Sequence, residues 1–268
     1  IKTIQGSGIA LDHSVRRSDV YLDLVISERE KLILEDLGLL FEVLIDDLTS
    51  YYKGRNVEVL NERNFPLGSM LGNYTWSELN QRHEELKNMY PEIISEKIIL
   101  GQSVEGNDIW AFKLSDNVNE DEDEPEVLYT GLTHSREPDT GSSPDPCSAI
   151  YRGELAFSEP EIEIVKDFIL NRNFKNVLHY HSFGNVYIHP FGDGSYPDYS
   201  DLMIYRGLAQ EMSDLNNFNF GTGYETIGYT VNGDAVDWTY GNNGIITYTP
   251  EVGSSAQGFW PSESDVVE

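Results

Sequence analysis

The apolar run Val127-Leu128-Tyr129-Thr130-Gly131-Leu132-Thr133 ends directly in His134-Ser135-Arg136-Glu137-Pro138. That junction constrains the fold more than any other stretch of the chain. An imidazole and a carboxylate three residues apart can grip one metal ion from the same side of the backbone. A zinc site of the two-imidazole, one-carboxylate kind needs such a pair, a distant third ligand and a position left for water. The pair sits at the mouth of a predicted strand, and open α/β sheets bind ligands at the carboxyl ends of their strands.

Candidates for the third ligand lie downstream. Residues 177–192 read as a strand carrying His179, His181 and His189, which with His134 make four of the six histidines. His179 and His181 flank Tyr180, so they share one face of a strand, and by spacing alone either could reach a metal. Residues 245–252 form a β-rich run that delivers Glu251 near its end. Between these two runs, 228–238 reads as a glycine-containing loop with Tyr229 at its start.

The ordered set HSREP, CSAIYRGELAFSEPE, HSF…HPFG, Y-x8-W and TPE resembles the zinc metallocarboxypeptidase family related to carboxypeptidase A, over roughly residues 73–268. The resemblance implies one Zn2+ per chain, held by His134, Glu137 and His181. It implies Glu251 as the general base, Tyr229 as a mobile residue folding over the substrate, and Arg136 as a lining residue of the next subsite. The chemistry agrees: zinc polarises a peptide carbonyl and acidifies its water, and a carboxylate within reach takes the proton and returns it to the leaving amine. The resemblance further suggests a secreted member of bacterial type, with peptide or protein C-termini as substrates.

One part of the family pattern has no counterpart. The family places several tens of residues between HSREP and the CS-x-x-YRG segment, bearing an Asn-Arg pair and another arginine that hold the substrate carboxylate and polarise the carbonyl. Here Pro138 runs straight into Asp139-Thr140-Gly141-Ser142-Ser143-Pro144-Asp145-Pro146-Cys147. Asn171-Arg172-Asn173 has the right residue types but the wrong order, and reads as a solvated helix-to-strand turn. Either the segment is genuinely absent, which would put exopeptidase activity in doubt, or it exists and the numbering runs across the gap after Pro138; the second is the expectation. Cys147, the single cysteine, is either a free thiol or a partner to something in that segment.

Alternating strands and helices predict an α/β fold: a mixed, mostly parallel sheet flanked by helices, preceded by a small α/β domain. Residues 1–60 form that pro-region-like unit, with a strand over 20–26, a helix opened by the capping box Ser27–Glu30 and closed by Gly38, and a second strand over 40–45. Residues 61–72 are a linker. The catalytic domain spans 73–268, opening with the capping box Thr75–Glu78, and its final helix start at 261–265 suggests a truncated C-terminus.

Acidic residues outnumber basic ones 46 to 18, a net charge of −28. Nucleic-acid phosphates would be repelled by such a surface, so no nucleic-acid partner is expected. No apolar run is long enough for a bilayer span. A monomer in the extracellular space, its leader removed, fits this composition. The acidic stretch 117–126 reads as a solvated loop. Residues 193–201 are dense enough in oxygen ligands to suggest a Ca2+ site, although they match no EF-hand spacing.

The function expected is removal of C-terminal residues from peptides. Val236, two before Trp238, corresponds to the base of the family's side-chain pocket and points to apolar residues. Asp234 would admit basic ones if its carboxylate turned inward; the competing role is capping its own turn beside Gly233. Two alternatives stand beside this: a related zinc peptidase or amidase acting on cell-wall or γ-glutamyl peptides, and a non-catalytic binding module or latent pro-form.

Overall fold

The structure is a computed structural model. It describes residues 2–9, 15–17, 21–24, 26–47, 50, 67–69, 72–131, 154–231, 233–254 and 256–258. Its elements in order are α1 (Lys2–Gln5), β1 (Val15–Arg17), β2 (Tyr21–Asp23), α2 (Glu28–Asp36), α3 (Trp76–Met89), β3 (Ile98–Gln102), β4 (Asp108–Ala111) and β5 (Glu126–Thr130). There follow α4 (Pro160–Leu170), β6 (Phe174–His179), β7 (Val186–Ile188), α5 (Tyr199–Asn216), β8 (Asn219–Gly221), α6 (Gly223–Thr226), α7 (Ala235–Asn243) and β9 (Ile246–Glu251).

Both expected capping boxes form. Ser27 and Thr75 each accept from the backbone of the glutamate three residues on, and Glu30 and Glu78 each reach back to the cap backbone. In α3 the buried position is not one of the leucines but His83, wedged against the rings of Trp110 and Phe112.

The central sheet has five strands in the order β5-β6-β9-β7-β8. Strands β5, β6 and β9 run parallel, β7 is antiparallel to β9, and β8 is parallel to β7. The sheet is thus mixed and mostly parallel, as the alternation of elements predicts. Its two faces are covered separately. Ile169 of α4 packs with Phe174 and Val177, while Tyr205 and Ala209 of α5 pack with Tyr187 and Tyr248. Helix α7 contributes Trp238 to the first cluster and Tyr240 to the second. The hairpin β3–β4 forms a separate two-stranded sheet and packs on α4, where Ile164 fills the space beside Gly101 that any Cβ would occupy.

Three expectations are corrected. The run 177–192 is not one strand: β6 stops at His179, and the chain turns through Gly184 and Asn185 (φ +52°) before β7 begins. The loop expected over 228–238 holds the first turn of α7. Residues 40–45 form no strand; Leu40, Phe41, Val43, Leu44 and Ile45 stand exposed with no ladder partner among the described residues. The linker at 61–66 and the helix start at 261–265 lie outside the described residues.

Candidate active site at the carboxyl edge of the sheet

Two residues past the end of β6, the backbone of His181 still pairs with β9. Its N–H donates to the Pro250 carbonyl at 2.9 Å, and its carbonyl accepts from the Val252 N–H at 2.9 Å. His181 is thereby the direct lateral partner of Glu251 in parallel register. Register partners in a parallel pair project to the same face. Imidazole and carboxylate therefore leave the sheet side by side, on the face that also carries Val177, His179 and Thr247. Both residues are half-buried.

The same edge receives β5. Its last residue, Thr130, is the register partner of His179, and the threonine hydroxyl meets His179 Nδ1 at 2.9 Å. The chain therefore leaves the sheet next to β6, four residues before His134. His134, Arg136 and Glu137 themselves lie outside the described residues, as does Cys147. His189 is fully buried, with Nδ1 on the Pro190 carbonyl at 2.8 Å and its ring stacked on Tyr205, so it is a core residue.

Glu251 has the most consequential electrostatics in the region. Burial, reinforced by the negative charge of Asp234, pushes its carboxyl up to about 8. A desolvated carboxylate next to an imidazole suits a dication, which would restore the charged form that burial disfavours. The donor types at this edge thus fit zinc.

Asp234 is where α7 begins. Its carboxylate accepts from the Val236 N–H at 3.1 Å, the capping role, while its charge still bears on Glu251. Val236 is fully buried and presents no accessible surface. Tyr229 is half-buried between two glycines with left-handed backbone, Gly228 (φ +82°) and Gly233 (φ +81°).

Arg172 lies in the helix-to-strand turn, as expected, but its side chain is paired there. Its guanidinium forks onto Glu126, with Nε at 2.9 and 3.1 Å from the two carboxylate oxygens, and also reaches Asp121. Glu126 opens β5, so this pair sits at the amino edge of the sheet, away from His181. Nor do residues 193–201 gather into a calcium site. Asp193 accepts from the Ser195 N–H at 2.8 Å, and Asp201 accepts from the Tyr240 hydroxyl at 2.7 Å. One exposed acidic group among the described residues, Asp116, Glu122 and Glu124, brings ligand atoms within 4.8 Å of one another in the loop after β4.

Sequence reasoning missed α7 and with it the approach of Asp234 to Glu251. The available signals were an aspartate at a helix start and Gly244, which ends α7 in the left-handed conformation. It also passed over a third capping box, Thr222–Glu225, which opens α6.

Comparison with known proteins agrees with this geometry. A family model described as zinc carboxypeptidase matches residues 79–140 and 137–268, two segments that meet just where Pro138 runs into Asp139. Carboxypeptidase A1 of Bos taurus is 33% identical over 111 residues, covering 39% of this chain and 26% of that protein. Carboxypeptidase B of Astacus astacus is 34% identical over 140 residues, covering 48% and 45%. The chain thus matches less than half the length of these curated relatives. Both are animal proteins and lend no support to a bacterial type. Among solved structures, a carboxypeptidase A from Helicoverpa armigera superposes with a TM-score of 0.65 at 17% identity, covering 89% of this chain and 80% of that one. Thrombin-activatable fibrinolysis inhibitor gives 0.62 at 17% identity, covering 95% and 81%. At such identities the structures speak for the fold, and the family model, which spans most of the chain, speaks for descent: the chain belongs to the zinc carboxypeptidase family.

Proposed function

We propose that the chain is a zinc-dependent carboxypeptidase that hydrolyses the last peptide bond of a peptide or protein. The observation that carries this is the desolvated carboxylate of Glu251 in register with His181 at the sheet edge where β5 ends, four residues before His134 in the sequence. His134, Glu137 and His181 would hold the ion, which supplies polarisation of the scissile carbonyl and acidification of water. Glu251 takes the proton from the attacking water, as a carboxylate within hydrogen-bond reach can. It then delivers the proton to the leaving amine. Tyr229, on a segment bracketed by glycines, closes over the substrate, and Arg136 lines the next subsite. Val236 gives the pocket an apolar backing, which favours apolar C-terminal side chains, with Asp234 occupied as a helix cap. Secretion, the monomeric state and a pro-region role for residues 1–60 belong to the same proposal.

A second reading is favoured by one observation. Arg172 pairs with Glu126, Arg206 with Glu225 and Arg82 with Glu85, so none of these three supplies the family's clamp for a terminal carboxylate. An amidase or peptidase indifferent to a free C-terminus would need no clamp. Peptides ending in Phe, Leu or Arg, each as free acid and as amide, separate the readings. The carboxypeptidase assignment expects cleavage of free acids alone, fastest for Phe or Leu, abolished by a chelator and restored by Zn2+. Equal cleavage of amides favours the second reading, and no metal-dependent cleavage at all overturns both.

A further inference from the structure

Between α6 and α7 the described residues of the segment that carries Tyr229 form no helix or strand, yet the segment is anchored through its backbone. Val231, two residues beyond Tyr229, donates its N–H to the Gly192 carbonyl at 2.9 Å. The N–H of that same Gly192 is held in turn by Asp237, whose two carboxylate oxygens accept it at 2.9 and 3.1 Å. One peptide segment, 191–195, thus connects the first turn of α7 to the tyrosine-bearing loop. It is a tight turn, closed by Phe191 N–H to Ser195 O at 3.2 Å and Gly194 N–H to Phe191 O at 3.0 Å.

Residue 192 must be glycine for this contact to exist. A Cβ there would stand 2.6 Å from Val231 Cγ2, 2.9 Å from the Val231 carbonyl oxygen and 3.3 Å from Asp237 Oδ2. The first of these could yield by a side-chain rotation, but the second is backbone and would force the loop outward. Asp237 is half-buried, and burial raises its carboxyl above the usual range while the Gly192 N–H opposes that shift. Among the described residues no cation pairs with it. Its hydrogen bond to Gly192 is the polar contact seen to compensate for its burial.

We infer that Asp237 is a positioning residue: acting through Gly192 on Val231, it latches the loop that bears Tyr229 to the first turn of α7. The same turn starts at Asp234, whose charge bears on Glu251, so one helix end acts on both the electrostatics of Glu251 and the loop. The latch leaves Gly228 and Gly233, which bracket Tyr229 and Val231 with left-handed backbone, as the points where the segment can bend. The inference rests on the reading of Tyr229 as the residue that closes over substrate, but its structural half can be tested without turnover.

Amide hydrogen exchange on the intact chain reads the latch directly. In the unaltered protein the Val231 amide should exchange at least about tenfold more slowly than those of Thr230 and Gly233, as a bond seated on a charge-anchored peptide requires. In Asp237→Ala and in Gly192→Ala, Val231 should lose that protection while the amides of β6 and β9 keep theirs. Asp237→Asn, which retains one acceptor for Gly192, should restore part of it. In peptide hydrolysis, Asp237→Ala should raise KM and lower kcat together while zinc content is unchanged, and Asp237→Asn should recover both in part. A Val231 amide that exchanges as fast as its neighbours in the unaltered protein overturns the latch without any variant. So does loss of β6 and β9 protection in step with Val231 in the milder Asp237→Asn, since that is a general loosening. An inactive protein with a protected Val231 overturns the carboxypeptidase reading and keeps the latch.

Discussion

Two short runs of this chain look alike on paper, and one of them becomes a strand. Leu40-Phe41-Glu42-Val43-Leu44-Ile45 and Ile246-Thr247-Tyr248-Thr249-Pro250-Glu251 are both rich in β-formers, and each carries one glutamate. The second lies between β6 and β7 with ladders on both sides, and its residues 247–250 are buried. The first has no ladder among the described residues and leaves Leu40 and Leu44 in solvent. A strand is a relation between segments, and propensity is realised only where neighbours accept the hydrogen bonds and bury the side chains. The same difference separates the two glutamates. Glu42 is exposed, while Glu251 is pushed up to about 8 by burial at the sheet edge and by the negative charge of Asp234.

Exchanging each glutamate for its amide tests the chemical side of this comparison and should give the largest effect. Glu251→Gln removes the proposed base and should lower kcat by about 10²–10⁴-fold, with zinc content retained on elemental analysis. Glu42→Gln should leave kcat unchanged. Equal losses in the two variants would break the comparison.

Packing gives the next largest difference. Tyr248 is almost fully buried against Tyr205, with its hydroxyl donating to the Tyr205 carbonyl at 2.6 Å. Tyr248→Ala should cost about 3–5 kcal/mol in urea unfolding, by analogy with other buried aromatics. Leu44→Ala should stay within about 0.5 kcal/mol. A large loss at Leu44 would mean that the 40–45 run does pack in solution.

A smaller effect sharpens the contrast between the two ends of the sheet. Arg172 beside Glu126 holds that carboxyl below its usual value. Because the folded-state pKa is depressed, the stabilisation is present above the unfolded value near 4.5 and is lost as pH falls through the lower folded value. Arg172→Ala should cost on the order of 1–2 kcal/mol at pH 7, since both side chains are partly exposed. That cost should shrink as the pH is lowered from 5 to 3. An undiminished cost at pH 3 would make the contribution of Arg172 one of packing.

What could be read from the sequence follows from how local each signal is. Capping boxes need only four consecutive residues, and those at Ser27 and Thr75 form as written. The end of β9 at Glu251 was legible because a strand end is local too, whereas alternation left His179 and His181 equal and only the resemblance chose between them. Helix α7 was not, since Ala-Val-Asp-Trp-Thr-Tyr-Gly-Asn-Asn mixes β-branched, aromatic and glycine residues without a helical apolar stripe. Its helicity comes from the Asp234 cap and from Val236 and Thr239 packing inward. The break in 177–192 escaped for a related reason: Tyr180-His181-Ser182-Phe183 still alternates as a strand would, and Gly184 with the left-handed backbone at Asn185 turns the chain. The influence of Asp234 on Glu251 depends on two elements meeting, and no spacing in the sequence encodes it.

The strand order has a consequence in time. Of the five strands, β9 is the last along the chain, yet it sits third in the sheet, between β6 and β7. A nascent chain that has emerged only through β8 holds β5–β6 and β7–β8 as two separate ribbons, each with an open edge waiting for the same partner. Until residues 246–251 arrive the two halves cannot join, and open edges of this kind are what chaperones shield and what aggregates recruit. Glu251 is the last residue of that closing strand. The group proposed to activate water therefore enters the molecule in the same event that completes its sheet, so a chain interrupted before it would lack both the closing strand and the proposed base.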